Sequence, residues 1–90
     1  PSSAIAYLVP PPIEVPLASR RLRESGTVVL RVLVGVDGAA RRISLHKSSG
    51  FQRLDDQAQA AMRAARFKPQ TEQGVPIEWE VLAAAQYEVQ

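Results

Sequence analysis

The chain contains no cysteine and a single histidine, His46. Without thiols it has no disulfides, no thiolate metal ligands and no cysteine nucleophile. A zinc site or a Ser-His-Asp triad would depend on that one histidine, with few other residues to complete it. The adjacent carboxylates Asp55 and Asp56 do not help, because neighbours one position apart on a helix do not face each other. We therefore expect no enzyme, no metal site and no cofactor.

Long apolar runs are also missing. No stretch of about 18 apolar residues occurs, which predicts no membrane-spanning segment in this sequence, and no signal-peptide pattern is present. The chain has 90 residues, 46% of them hydrophobic, so we expect one small domain able to fold alone. Because it begins at Pro1 rather than at methionine, we also expect it to be a piece of a longer protein.

Charge is unevenly distributed along the chain. All 11 lysines and arginines lie between Arg20 and Lys68, while the segment from Pro69 onward has glutamates and no base. This division predicts a basic face and an acidic final segment. As a nucleic-acid signal it is weak, since the bases are spread over several predicted elements with few aromatics among them.

Prolines mark the first part of the chain. Pro10, Pro11 and Pro12 favour extended polyproline II, and we interpret residues 1–14 as the end of a proline-rich linker, with a domain at 15–90. Pro16 suits a first helical position, and Gly26 suits the end of a short helix.

The clearest strand is residues 27–36, "TVVLRVLVGV", whose even-numbered positions are all apolar. Asp37-Gly38 then predicts a two-residue hairpin of type I′, which needs positive φ at both positions. The partner strand is expected over residues 40–47. Arg41 and Arg42, just after the turn, mark either a bulge or an exposed edge. They either contact an acidic partner or remain solvated.

A second helix is predicted within "SSGFQRLDDQAQAAMRAARFKP", residues 48–69. Ser49 and Gln52 have the spacing of a capping box, although the helix start is equally compatible with Arg53. Pro69 stops the helix. An apolar stripe for packing on a sheet is formed by Leu54, Ala58, Ala61, Met62 and Ala65.

After a loop at 71–74, alternation with period two returns from Val75. Pro76 cannot donate to a ladder and belongs on an edge strand or at a strand start. Trp79 shares a face with Ile77 and Val81, which favours a core position over a binding hot spot. Residues 86–89 form a further strand-like run. The predicted fold is α+β: two helices on a mostly antiparallel three-stranded sheet, in the order α-β-β-α-β with a short extra C-terminal strand.

Four stretches, taken in order, resemble one family. They are "VPLASRRLRESGTVVLRVLV", a proline-started helix and strand; "VDGAARRISLHKSSG", an Asp-Gly hairpin with a Ser-Ser-Gly junction; "LDDQAQAAMRAARFKP", a helix ended by Arg-Phe-Lys-Pro; and "GVPIEWEVLAAAQYEVQ", a long last strand. Together they resemble the C-terminal domain of the TonB family, energy transducers of Gram-negative bacteria. Val15 stands where the family has tyrosine and Ala65 where it has tryptophan, so both the transducer and a specialised paralogue stay open.

The resemblance implies a periplasmic domain of an inner-membrane-anchored protein that works with ExbB and ExbD. It also implies binding of the TonB box of an outer-membrane receptor as an added strand, so that the proton-motive force drives siderophore, haem or vitamin uptake. Strand addition needs a strand with an unpaired edge, and the last long strand is the candidate for it. Pro76, Glu78 and Glu80 resemble edge guards. By position the implied site comprises Ile77, Glu78, Trp79, Glu80, Val81 and Leu82, with Arg41 and Arg42 as secondary contacts.

Two other functions remain open at this point. One is a periplasmic interaction module of another assembly, such as a TolA-like domain. The other, which the charge distribution makes less favourable, is a small basic nucleic-acid-binding domain. An exposed edge strand also allows two copies of the chain to pair as a homodimer.

Overall fold

The structure of the chain, a computed structural model, describes residues 5–89. Two helices and seven strands occur within these residues. In chain order they are β1 (Tyr7–Val9), α1 (Leu17–Arg21), β2 (Gly26–Val34), β3 (Ala40–Lys47), α2 (Gln52–Ala64), β4 (Arg66–Phe67), β5 (Gln70–Glu72), β6 (Val75–Ile77) and β7 (Trp79–Tyr87).

The predicted α+β architecture is confirmed. β2 lies in the middle of an antiparallel three-stranded sheet with β3 on one side and β7 on the other. Helix α2 packs across β2 and β3 and buries the apolar face of the sheet. Two smaller two-stranded sheets accompany it, one formed by β1 and β4 and one by β5 and β6.

The core contains the residues that the apolar alternation of β2 and the apolar stripe of α2 predict to be buried. On β2, the even-numbered residues from Val28 to Val34 are fully buried, as expected for a strand with one face against a helix. The predicted stripe of α2 is buried as well. Phe67 completes the core at the end of the helix, together with small and aromatic residues of β7: Ala83, Ala85 and Tyr87.

The loop between β2 and β3 differs from the predicted two-residue turn. The Gly35 N–H donates to the Ala39 carbonyl at 2.8 Å and the Gly38 N–H donates to the Gly35 carbonyl at 2.9 Å. Only Gly38 has positive φ, at 85°, whereas Asp37 does not. The Asp37 carboxylate instead accepts the Ala39 N–H at 3.1 Å. This side-chain bond stabilises a three-residue loop with one left-handed glycine, so the type I′ prediction was wrong.

The segment before Val15 is packed against the domain where it is described. β1 pairs with β4, and the ring of Tyr7 lies 5.0 Å from that of Phe67. Ile5, Ile13 and Val15 contact the buried core. Residues 1–4 lie outside the described residues. The division into linker and domain at residues 14 and 15 stays a prediction, but residues 5–14 are not a detached tether in this structure.

Two further predictions about the C-terminal third were wrong. Residues 71–74 are not an open loop, because β5 and β6 form a hairpin whose turn has Gln73 at φ 53° and Gly74 at φ 81°. Positive φ at both turn residues suits the twist of a two-residue hairpin. Residues 86–89 do not form a separate strand, since β7 continues without interruption to Tyr87.

The junction between β3 and α2 is held by Asp55 rather than by a capping box. Phe51 occupies the N-cap position without a side-chain bond. The Asp55 carboxylate, 7% exposed, accepts the Ser48 hydroxyl, the Ser49 hydroxyl and the Ser49 N–H. Burial by itself raises the pKa of Asp55, but these three hydrogen bonds outweigh it and lower the pKa below its ordinary value.

Candidate functional site

The outer edge of β7 is the longest regular open edge in the described part of the chain. β7 pairs with β2 in an unbroken register of nine residues, from Gly26 opposite Tyr87 to Val34 opposite Trp79. No other described strand pairs with β7. A row of main-chain donors and acceptors therefore faces away from the sheet.

The hydrogen bond between Gly35 and Ala39 shows which residues of β7 have backbone groups on the open side. It directs the backbone groups of Gly35 towards β3. Backbone groups alternate sides along an antiparallel strand, so those of Val34 and of every second residue before it point towards β7. Their partners on β7 start at Trp79 and recur at every second position. The N–H and C=O groups that we infer to face the open side belong to Glu80, Leu82, Ala84 and Gln86.

Side chains on β7 alternate between the core and solvent. The side chains that point into the domain belong to Trp79, Val81, Ala83, Ala85 and Tyr87. The residues between them are exposed. Leu82 is 47% exposed although it is apolar. A strand laid beside β7 would place alternate side chains next to Leu82 and Ala84 on the solvent face.

Trp79 packs at the start of β7, in agreement with the core interpretation of this residue. Its ring meets that of Phe67 edge to face, with centroids 6.0 Å apart. The indole Nε1 is buried and has no acceptor among residues 5–89. The tryptophan thereby anchors the start of β7 to the aromatic cluster of Tyr7 and Phe67.

Glu80 is tied to the solvent face of the sheet. Its Oε1 accepts from Arg31 Nη1 at 3.1 Å, and Arg31 Nη2 lies 3.4 Å from His46 Nδ1. These three exposed side chains come one from each strand and form a line across the solvent face of the sheet. Because the Glu80 side chain bonds to a residue of β2 above the sheet, it leaves the backbone edge of β7 uncovered. His46 is exposed on β3.

The far end of β7 is fixed to two other parts of the fold. The Tyr87 hydroxyl donates to Gln57 Oε1, and Gln57 Nε2 donates to the Pro12 carbonyl at 3.0 Å. Burial, with a smaller contribution from the charge of Asp55, raises the pKa of Tyr87 to about 12. The phenol therefore stays protonated at neutral pH and keeps its donor role. β7 is held at both ends, by Trp79 and by Tyr87.

The six predicted site residues fall on more than one element. The first half of β7 contains Trp79, Glu80, Val81 and Leu82. Ile77 is the last residue of β6, and Glu78 joins β6 to β7. The second half of the edge, residues 83–86, was missed. Its run of alanines has low intrinsic strand preference, and only the preceding alternation from Trp79 pointed to continuation. The assignment of the six residues to a binding site stays a prediction.

Arg41 and Arg42 are not brought together with the edge of β7. They lie on β3, the opposite outer strand. Leu33 pairs with Arg42 and Val34 pairs with Ala40, so Arg41 is an extra residue in the ladder. The predicted bulge is therefore confirmed at this position.

The described residues were also compared with the requirements of a metal site and of a membrane-spanning helix. They contain no group of three or more His, Asp or Glu side chains placed to hold a metal ion. Neither described helix has the length and apolar character that crossing a bilayer requires.

Comparison with known proteins links this fold to one family. The sequence model of the family described as "Gram-negative bacterial TonB protein C-terminal" matches residues 11–89. The protein named "Protein TonB" of Neisseria meningitidis serogroup C is 41% identical over 68 residues, which covers 73% of this chain and 24% of that protein. "Protein tonB2" of Pseudomonas aeruginosa is 39% identical over 69 residues, covering 77% of this chain and 26% of that protein.

A third relative is of the same kind. "Protein TonB" of Neisseria gonorrhoeae is 40% identical over 68 residues, again 73% of this chain and 24% of that protein. The matched region of this chain thus spans about a quarter of the length of these curated relatives.

Proposed function

Because the chain belongs to the TonB C-terminal family, we propose that it binds the TonB box of outer-membrane receptors as a strand added to the open edge of β7. The observation that carries this proposal is the nine-residue register of β7 with β2, which has no bulge and leaves one side of β7 without a partner among residues 5–89.

The contacts favour a short extended peptide of mixed sequence. Main-chain hydrogen bonds to Glu80, Leu82, Ala84 and Gln86 supply affinity whatever the peptide side chains are, and the alternate side chains supply selectivity. A residue beside the half-exposed Leu82 gains most if it is aliphatic or β-branched. Affinity is weak, because ordering a flexible peptide offsets much of the gain.

The wider role that we propose rests on the family assignment. We place the domain in the periplasm, as part of an inner-membrane-anchored transducer that works with ExbB and ExbD. Binding at β7 couples that machinery to receptors for siderophores, haem or vitamins. In this role the domain transmits force and catalyses no reaction, so its surface needs a peptide-binding edge rather than a reactive cleft.

The test is an NMR titration of the isotope-labelled domain with synthetic TonB-box peptides. The largest amide shifts are expected from Trp79 to Gln86. The decisive variant is Ala84→Pro, whose missing N–H faces the open side and not β2, so the sheet tolerates it. We expect it to weaken peptide binding at least about tenfold, because it removes a donor and covers the edge with the proline ring.

The matched control is Ala84→Val, which keeps the N–H and suits a strand. It should bind within about twofold of the unmodified domain, since main-chain bonds dominate affinity. Undiminished binding by Ala84→Pro would contradict the proposal, as would shifts confined to Arg41, Arg42 and Lys47. A steep loss of affinity between about 50 and 200 mM salt would instead indicate binding through phosphate neutralisation.

A further inference from the structure

A second surface lies at the other outer strand. A depression of about 270 Å³ is lined by residues of β3 and by one residue of α2. We call it the arginine pocket. Its lining residues are Ala40, Arg41, Arg42, Ile43 and Arg63.

The bulge in β3 concentrates positive charge at this place. Neighbouring side chains on a regular strand point to opposite faces of the sheet. At a bulge two residues stand opposite one, which breaks that alternation. Arg41 and Arg42 occupy the bulge opposite Leu33. Gly35 makes room for one of them, since a Cβ there would stand 2.8 Å from Arg41 Cδ.

None of the three arginines forms an ion pair with a described carboxylate, and the nearby Asp37 carboxylate instead accepts the Ala39 N–H. The ion pairs within residues 5–89 join Arg31 to Glu80 and Arg53 to Glu24. Arg41, Arg42 and Arg63 have no carboxylate within the 4.0 Å limit of an ion pair in that range. The three cationic side chains are exposed and come from two separate elements.

The end of α2 next to the pocket does not cancel this charge. A helix C-terminus carries partial negative charge on its last carbonyls and repels anions. Here Arg66 Nη1 donates to the carbonyls of Ala65 and Arg63, at 2.8 and 3.3 Å. Arg66 thereby places a cation at the end of the helix, and Arg63 lines the pocket.

From these observations we propose that the arginine pocket binds side-chain carboxylates of an acidic peptide segment in a partner protein. Guanidinium groups bind carboxylates through paired, charge-assisted hydrogen bonds. The depression has the volume for a carboxylate side chain and not for a large ligand, and Ala40 and Ile43 offer apolar contact to its methylenes. No aromatic side chain lines it, so it lacks the stacking platform of a single-stranded nucleic-acid site.

This site is separate from the edge of β7. β2 lies between β3 and β7, and two strand spacings amount to about 10 Å. The bulges in β3 also oppose extended strand pairing there. The acidic segment is therefore held by its side chains, and its binding does not depend on peptide addition to β7.

The test uses a blocked peptide with three glutamates flanked by glycines, and its glutamine counterpart, titrated into the labelled domain. Arginine Nε–Hε signals of Arg41, Arg42 and Arg63 should shift with the glutamate peptide only. The variant combining Arg41→Gln, Arg42→Gln and Arg63→Gln is expected to weaken binding at least about tenfold. Its matched control, Arg20→Gln with Arg21→Gln and Arg23→Gln, removes the same charge elsewhere and should weaken binding less than about threefold.

Several results would overturn the proposal. Equal weakening by the control variant would mean that net charge alone attracts the peptide. Equal binding of the glutamine peptide would remove the carboxylate from the interaction, and inorganic phosphate binding as tightly as the glutamate peptide would indicate an anion site without peptide selectivity. Ala84→Pro is expected to leave glutamate-peptide binding unchanged, so this test and the test of β7 fail independently. The amide spectra of both triple variants verify that the fold is retained.

Discussion

The two outer strands of the sheet share one partner, β2, but differ in how they pair with it. β7 matches β2 residue for residue over its whole length. β3 departs from regular register twice, between Val29 and Leu30 and between Leu33 and Val34. Bulges twist an edge and interrupt its hydrogen-bonding row, which protects it from adding another strand. The same sheet therefore has one guarded edge and one regular edge.

The side chains differ in the same sense as the backbones. The guarded edge bears Arg41, Arg42 and Lys47, and the regular edge bears Leu82 and a run of alanines, with Glu80 held by Arg31. Long charged side chains on β3 add to the protection that the bulges give. A peptide partner is expected to form a strand only at β7, and an acidic partner is expected only at β3.

The largest expected effect on stability comes from the glycine turn before β3, compared with the glycine turn of the β5–β6 hairpin that comes before β7. Gly38 lies in the turn before β3 and Gly74 lies in the turn between β5 and β6, with φ of 85° and 81°. A Cβ at Gly38 would lie 2.3 Å from the Phe67 carbonyl oxygen, whereas nothing lies within 4 Å of a Cβ at Gly74. We expect Gly38→Ala to cost about 3 kcal/mol or more of unfolding free energy, since a backbone clash adds to the left-handed strain.

Gly74→Ala is the matched control for that prediction. It carries the same backbone strain without the clash and should cost about 1 kcal/mol. Urea denaturation of both variants measures the difference. Equal losses would mean that the contact between the β2–β3 loop and β4 adds nothing to the stability of the guarded side.

Hydrogen exchange should show which backbone groups are exposed at the regular edge. Amides of Val81, Ala83 and Ala85 are inferred to donate to β2, and those of Leu82 and Ala84 to face solvent. The first group should exchange at least about a hundredfold more slowly than the second, since opening the ladder is needed. Native-state exchange read by NMR measures each amide separately. Uniform protection along β7 would mean that the open side is already paired in solution.

The parts of the fold that the sequence predicts are those with a strong apolar period. Alternation along β2 and the stripe of α2 each correspond to one complete buried face, so the period alone distinguishes the strand from the helix. β5 and β6 are almost wholly exposed, so no buried apolar face distinguishes them as a hairpin. Their turn has Gln73 in the left-handed region, which only the folded hairpin reveals. β1 depends on pairing with β4, a contact between distant parts of the chain.

The candidate site was only partly predictable for the same reason. The resemblance pointed to β7, whose outer edge is open, but covered only half of its length, because Ala83, Ala84 and Ala85 separate the apolar alternation from Tyr87. The departure at Ala65 also has a structural explanation. This side chain is fully buried in the hydrophobic core directly after α2, where a larger residue would have to displace its neighbours.

The smallest expected effect on stability comes from Asp55, which binds Ser48 and Ser49 just after the guarded strand β3. Replacing it by asparagine removes the charged acceptor of Ser48 and Ser49. We expect a loss of about 1–2 kcal/mol, because hydrogen bonds to a charged group are lost while the two serines regain water. Asp56→Asn, on the exposed side of the same turn, should change stability by less than about 0.5 kcal/mol.

The pH dependence separates this role of Asp55 from simple packing. Its folded pKa is lowered, so the charged form stabilises the domain fully above the unfolded value of about 3.9. That contribution is lost as the pH falls below this value and through the lower folded pKa. The stability gap between the unmodified domain and Asp55→Asn should therefore be constant near neutral pH and shrink on acidification below about pH 4. A gap that stays constant in acid would show that the hydrogen bonds to Ser48 and Ser49 do not depend on the charge of Asp55.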